Sequence, residues 1–268
     1  MMNSFNWSAF LTQWSQDILN KKQATNDIQA IRECRQQNWF GYPGATEDQI
    51  KAAEARLGKK LPPSYRAFLK VSNGWRETTP FIQNLGSTED IRWFATKYPD
   101  WLNQWMRRYR VAPAASVNGA ATALPVSDQH YFVYGEAQDC RKLRVNYLKN
   151  ALAISAASEA SIYLLNPEVI TEEGEWEAWF LADWLPGADR YPSFQALMEA
   201  EYINSQEIRG VPAQSTTAMV ESAIPVTSLV QHDYPSLRQI RSQLWPGIEI
   251  DKVCQWIMER VDQAVCSC

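Results

Sequence analysis

The sequence predicts an α+β fold, an antiparallel sheet flanked by helices with extra helices at both ends of the chain. Three observations carry this. Helical periodicity dominates up to Pro113. Beyond it come short runs rich in Val, Ile, Leu and aromatics, several alternating and separated by polar turns. A capped helical stripe opening at Ser193 then follows the strands, and helices, strands and a helix in series is α+β order.

Trp7, Phe10, Leu11, Trp14 and Ile18 recur at three- and four-residue steps and predict an N-terminal amphipathic helix. A second helix is expected over 28–37, ended by the Gly41, Pro43 and Gly44 turn. Thr46 as N-cap with Gln49 three residues on predicts a reciprocal capping box, and Ile50, Ala53 and Leu57 then share a face. Gly58 ends that helix, and Pro63 opens another whose buried stripe is Tyr65, Phe68 and Leu69. Asn73-Gly74 closes it. Ser87 and Asp90 are expected to cap a helix carrying Ile91, Phe94 and Tyr98, which Pro99 interrupts. Strands are expected at 131–135, 142–148, 151–155, 161–166 and 175–183. Leu143, Val145 and Tyr147 would line the inner face of a half-buried sheet. Phe194, Leu197 and Met198 face inward in the next helix. Residues 204–232 predict an extended connection, followed by helices around Leu237, Ile240, Leu244 and around Val253, Ile257, Val261.

With 268 residues and 46% hydrophobic content the chain can bury a full core. Twelve Trp, eleven Tyr and nine Phe supply large rigid surfaces that serve cores and interfaces alike. A formal charge of -4 and a pI near 5.4 disfavour nucleic acid and anionic membranes and favour a basic partner. The helix from Pro63 to the Asn73-Gly74 stop is the second arm of a helix-turn-helix corner, yet Arg66 and Lys70 are its only cations, too few for DNA recognition. Residues 1–20 carry no leader or membrane-span pattern, so a cytoplasmic protein is expected. Cysteines at 34, 140, 254, 266 and 268 lack a disulfide framework. With only His130 and His232 and no CxxC pair, neither a metal nor a cofactor is expected, and no phosphate-binding glycine loop occurs.

The dense carboxylate set is Glu168, Glu172, Glu173, Glu175 and Glu177. Three readings stay open: a solvated turn, a glycosidase pair with Trp176, Trp179 and Trp184 as stacking platforms, or an acidic and aromatic surface for a basic protein.

The stretch from Gly41 to Trp75, with Glu47, Ala53-Glu54, Leu57-Gly58, Leu61-Pro62, Tyr65, Phe68-Leu69 and Asn73-Gly74, resembles the SUKH superfamily, bacterial immunity proteins grouped with fungal regulators of the Smi and Knr type. The run from Tyr163 to Met198 is similar to that family's strand, acidic turn, Trp-Glu strand and closing Ser-Phe helix. Together they imply a main domain over 25–203, with a helical extension over 1–24 and a linker with two packed helices over 204–268 outside it. The resemblance implies a cytoplasmic, non-enzymatic antidote that binds a cognate effector toxin, such as a nuclease, deaminase or ADP-ribosyltransferase. The alternative it implies is a regulatory scaffold or adaptor. The contact residues expected are Trp75, Glu136, Asp139, Glu172, Glu173 and Glu175, with the C-terminal helices as the other candidate surface.

Overall fold

A computed structural model of the chain describes residues 5–21, 29–110, 126–157 and 160–208. The two helices expected after residue 232 therefore lie outside the described residues, as does His232. Four helices come first: α1 (Trp7–Lys21), α2 (Gln29–Gln37), α3 (Glu47–Leu57) and α4 (Pro63–Val71). The short strand β1 (Arg92–Trp93) leads into α5 (Phe94–Lys97), α6 (Pro99–Arg110) and α7 (Asp128–Tyr131). Then come β2 (Leu152–Ala153), β3 (Ser161–Ile170), β4 (Trp176–Ala182), β5 (Ala188–Tyr191) and α8 (Phe194–Ile208). The five strands form one antiparallel sheet in sequential order. This is the α+β architecture the sequence predicts.

Helices cover both faces of the sheet. Tyr163, Leu165, Trp176, Ala178 and Phe180 face a core shared with α1, α3, α4 and α8. Ile162, Leu164, Trp179 and Leu181 face a second core with Phe94, Trp105, Leu143 and Leu148. Every residue of β4 is buried, which explains an apolar run broken only by Glu177 and corrects the expectation of a half-exposed sheet.

The α3–α4 corner forms as its sequence dictates. Thr46 and Gln49 make both capping-box bonds, at 3.2 and 2.8 Å. Gly58 takes a left-handed φ of 67°, and Pro63 occupies the first helical position. Glu54 fixes the angle between the helices by accepting the Leu61 amide at 2.8 Å and pairing with Arg66 at 2.5 Å. The preceding turn lies hard against α4, where a Cβ on Gly44 would stand 2.0 Å from the Lys70 carbonyl oxygen. Asn73 ties the far end of α4 to the next loop, its Oδ1 accepting the Thr88 amide at 2.8 Å.

Three local expectations are corrected. Residues 87–98 do not make one helix, because Arg56 claims the Thr88 and Ile91 carbonyls at 2.8 and 3.1 Å and Ser87 folds onto Asp90. The helical part is α5, which ends at Lys97, and Pro99 separates it from α6 as expected by opening that next helix. Residues 131–135 and 142–148 are not strands: they include the end of α7 and 3₁₀ turns at Gly135–Ala137 and Val145–Lys149. Leu143 and Leu148 go inward as a lid over the sheet, where covering a face matters more than adding an edge. Residues 204–208, expected to open the extended connection, are helical, since α8 runs to Ile208. Asn204, Ser205 and Gln206 are polar yet buried, satisfied by Glu201, Trp14 and Asp17, and that polarity hid the helix.

Helix α1 is an integral wall of the first core. The Trp14 ring lies 5.9 Å from Trp75 and 5.4 Å from Tyr202, and Trp7 stacks on Phe194 at 5.5 Å. Ser15 Oγ accepts the Phe40 amide at 2.9 Å while donating to the Leu11 carbonyl at 2.8 Å, joining α1 to the turn after α2.

Candidate functional site

The carboxylates around the β3–β4 hairpin divide into two kinds, sealed and presented. Glu177 is wholly sealed. It stands opposite Asn166 in the sheet register, and its Oε2 accepts from Asn166 Nδ2 (2.8 Å), Trp179 Nε1 (2.7 Å) and the Tyr131 hydroxyl (2.7 Å). Its Oε1 accepts from the Tyr134 hydroxyl at 3.0 Å and from Arg190 at 3.4 Å. Arg190 is equally buried, lies 4.2 Å from the Tyr131 ring and donates to the Tyr131 carbonyl. A buried charge is tolerable only when paired and hydrogen-bonded, and this carboxylate is both. Burial, reinforced by Glu177, pushes both tyrosine hydroxyls far up, so they remain protonated donors. The network pins the 131–134 segment to the sheet and offers no carboxylate to a substrate.

Glu175 serves a different structural end. Helix α4 has Pro62 at its N-cap and no cap from its own segment. Glu175 reaches across from the hairpin, accepting the Ser64 amide at 2.7 Å and the Ser64 hydroxyl at 2.6 Å. It is a cap supplied from 111 residues away in sequence. Burial raises this carboxyl and the Ser64 bonds oppose the rise. Lys59 completes the clamp, its Nζ 3.4 Å from the Pro167 carbonyl and 5.3 Å from the Trp176 ring centre.

Glu172 and Glu173 are exposed at the hairpin tip, where Gly174 takes a φ of 83°. Glu136 is exposed on a 3₁₀ turn, and Asp139 holds Arg141 through bonds of 2.9 and 3.2 Å. Asp139 precedes Cys140, whose carbonyl accepts the Ala188 amide at 3.2 Å, and Ala188 pairs with Leu181. Leu181 lies five residues along β4 from Trp176, so Asp139 sits roughly 17 Å from the hairpin end. The acids expected to act together thus form two separate groups.

Trp75, expected as an aromatic anchor, is wholly buried. Its ring lies 5.6 to 6.0 Å from those of Trp39, Trp14 and Phe40, and a side chain without accessible surface has none to give a partner. Glu175 needs the same correction in part, because both its oxygens are engaged by Ser64. His130 is exposed on α7 with its Nδ1 2.8 Å from the Ser127 hydroxyl.

Gln138 carries a role that sequence reasoning missed. Its side-chain amide mimics a neighbouring strand, accepting the Arg190 amide at 2.7 Å and donating to the Arg190 carbonyl at 2.9 Å. It thereby covers the edge of β5 that no strand pairs. No local pattern announces this, although Glu177 carried a signal: one charge in an otherwise apolar strand.

An open groove of ≈ 440 Å³ lies at the α5–α6 junction beside Asp183. Asp183 is already partnered there by Trp101 Nε1 at 2.8 Å and by Arg108 at 3.8 Å, and none of the six expected contact residues lines it. No helix among the described residues is long and apolar enough to cross a membrane.

The capped corner, the Trp-Glu strand and the closing helix define a family. Residues 44–200 match the model of the SMI1 / KNR4 family (SUKH-1), and the chain belongs to that family. The match begins after α1 and α2, so the first helix that completes the core lies outside it. No curated protein matches the chain.

Proposed function

We propose that this chain is an immunity protein that binds and neutralises a cognate toxin of the nuclease, deaminase or ADP-ribosyltransferase class in the cytoplasm. Membership of the SUKH-1 family is the observation that carries the reading. The chemistry of the site supports it: Glu177 and Glu175 are spent on internal locking, so the fold is stiffened behind an acidic exterior. Glu136, Glu172 and Glu173 guide the approach of a basic partner, with the charge of Asp139 offset by its pair with Arg141, a role that speeds encounter more than it tightens the complex. Protection requires nearly complete capture of toxin, which corresponds to a nanomolar or tighter complex, about -12 kcal/mol.

Co-expression with each product of a neighbouring gene that arrests growth tests the proposal. Rescue of growth together with a stable one-to-one complex is the expected outcome. Failure of both removes the reading, and pull-downs that return only resident cellular proteins favour the adaptor alternative instead.

A further inference from the structure

We infer that the β3–β4 hairpin tip seats the partner, with Ile170 as an apolar anchor entering a socket rimmed by lysine or arginine on a basic toxin. This rests on the immunity reading above. Ile170 is 51% exposed, and only Phe132 among the described residues is another large apolar side chain left so open. A single exposed aliphatic residue means little alone, and three further features of this one separate it from scatter.

The first is its aim. Between the register pairs Asn166–Glu177 and Ile170–Trp176 the strand carries extra residues, a bulge that redirects the side chains after it. Ile170 is paired with Trp176 and so shares its face, beside the α4 end of the molecule. Exposed Pro63 adjoins the same tip, 4.0 Å from where a Cβ on Gly174 would stand. The second is rigidity. The two Glu175–Ser64 bonds and the Lys59 clamp hold the tip to α4, so little ordering entropy remains to be lost on binding. The third is charge. Exposed Glu168, Glu172 and Glu173 lie within three residues of Ile170 along the hairpin and outnumber the exposed cations Lys59 and Lys60 that precede α4, Lys59 lying against Trp176 and the Pro167 carbonyl. An apolar knob within an acidic rim fits an apolar socket within a basic one.

The test uses the full chain and each growth-arresting product of a neighbouring gene, with association and dissociation rates measured at two salt concentrations. Ile170→Asp is expected to raise Kd about thirtyfold or more, mostly through faster dissociation. The double variant E172K/E173K is expected to slow association about tenfold and to flatten its salt dependence. Phe132→Ser, the control, stays within twofold. Thermal melts check folding, and if Ile170→Asp melts early the double variant decides alone. Binding by the wild-type chain with both hairpin variants within twofold overturns the hairpin assignment and leaves the immunity reading standing. A wild-type chain that neither binds nor protects removes both. A wild-type dimer that Ile170→Asp converts to monomer gives the surface to a second copy and also overturns the inference.

Discussion

Removing one member of a sealed ion pair strands the other charge in a low-dielectric interior. Glu177→Ala is therefore expected to destabilise the protein by about 3–5 kcal/mol, read from the urea midpoint, because Arg190 and two tyrosine hydroxyls lose their acceptor. A second buried pair gives a pH dependence. Glu201, which accepts from the Tyr163 hydroxyl and from Asn204 at 3.0 Å, is raised to about 7 by burial. Asp189 is also raised to about 7, by burial first and then by Glu201, with Arg190 opposing. Both fold as neutral acids, whereas in the unfolded chain they ionise near pH 4. Their contribution is therefore fully present below about pH 4 and declines as pH rises toward 7, where the folded state begins to ionise as well. Asp189→Asn is expected to flatten part of that decline and to raise Tm at pH 8 by roughly 2–4 °C for each kcal/mol recovered, measured by melts across pH 4 to 8. An unchanged pH profile would show that Asp189 ionises freely in the fold.

At the scale of elements, the hairpin and α4 stabilise one another through Glu175. Glu175→Ala should cost about 1–2 kcal/mol and speed hydrogen exchange at the Ser64 amide, while Glu172→Ala, exposed at the tip, leaves both unchanged. Two glycines of the corner separate strain from collision. Gly58 has a φ of 67° with nothing within 4 Å of an added Cβ, so Gly58→Ala meets only left-handed strain of about 1–2 kcal/mol. Gly44→Ala would drive a methyl to 2.0 Å from the Lys70 carbonyl oxygen and must displace backbone, so its loss in Tm should be the larger. Equal melts for the two would contradict the close turn–helix approach. Gln138 acts at this scale too, since its amide keeps the β5 edge from recruiting other strands.

For the whole molecule, the family match and the physical core have different limits. The match starts at residue 44, yet Trp7, Leu11, Trp14 and Ile18 of α1 are buried against α4 and α8. Deleting residues 1–21 would uncover Trp75, Phe68 and Tyr202 together, and the shortened chain is expected to be insoluble or to melt more than 10 °C lower, an order-of-magnitude expectation for losing several buried aromatics. A truncated chain with an unaltered melt would show α1 to be an appendage. The antidote reading belongs to this scale as well, because a binding protein works through a surface held in advance by packing behind it.

The sequence by itself determined the α+β class, the strands β2 to β4 though not β1 or β5, the capped α3–α4 corner, the helix over Phe194 to Met198 and the family, because caps, left-handed glycines and periodicity are local signals. Tertiary structure alone decided that Trp75 is core, that Glu175 caps a distant helix and that Glu177 is locked by Arg190. It also decided that the apolar runs at 131–135 and 142–148 cover the sheet instead of extending it. Each of those outcomes depends on partners between 13 and 111 residues away or on which face of the sheet lacked cover, and neither leaves a mark in the neighbouring residues. A carboxylate or an indole reads the same in sequence whether it meets water or a protein donor, and only the assembled packing chooses between them.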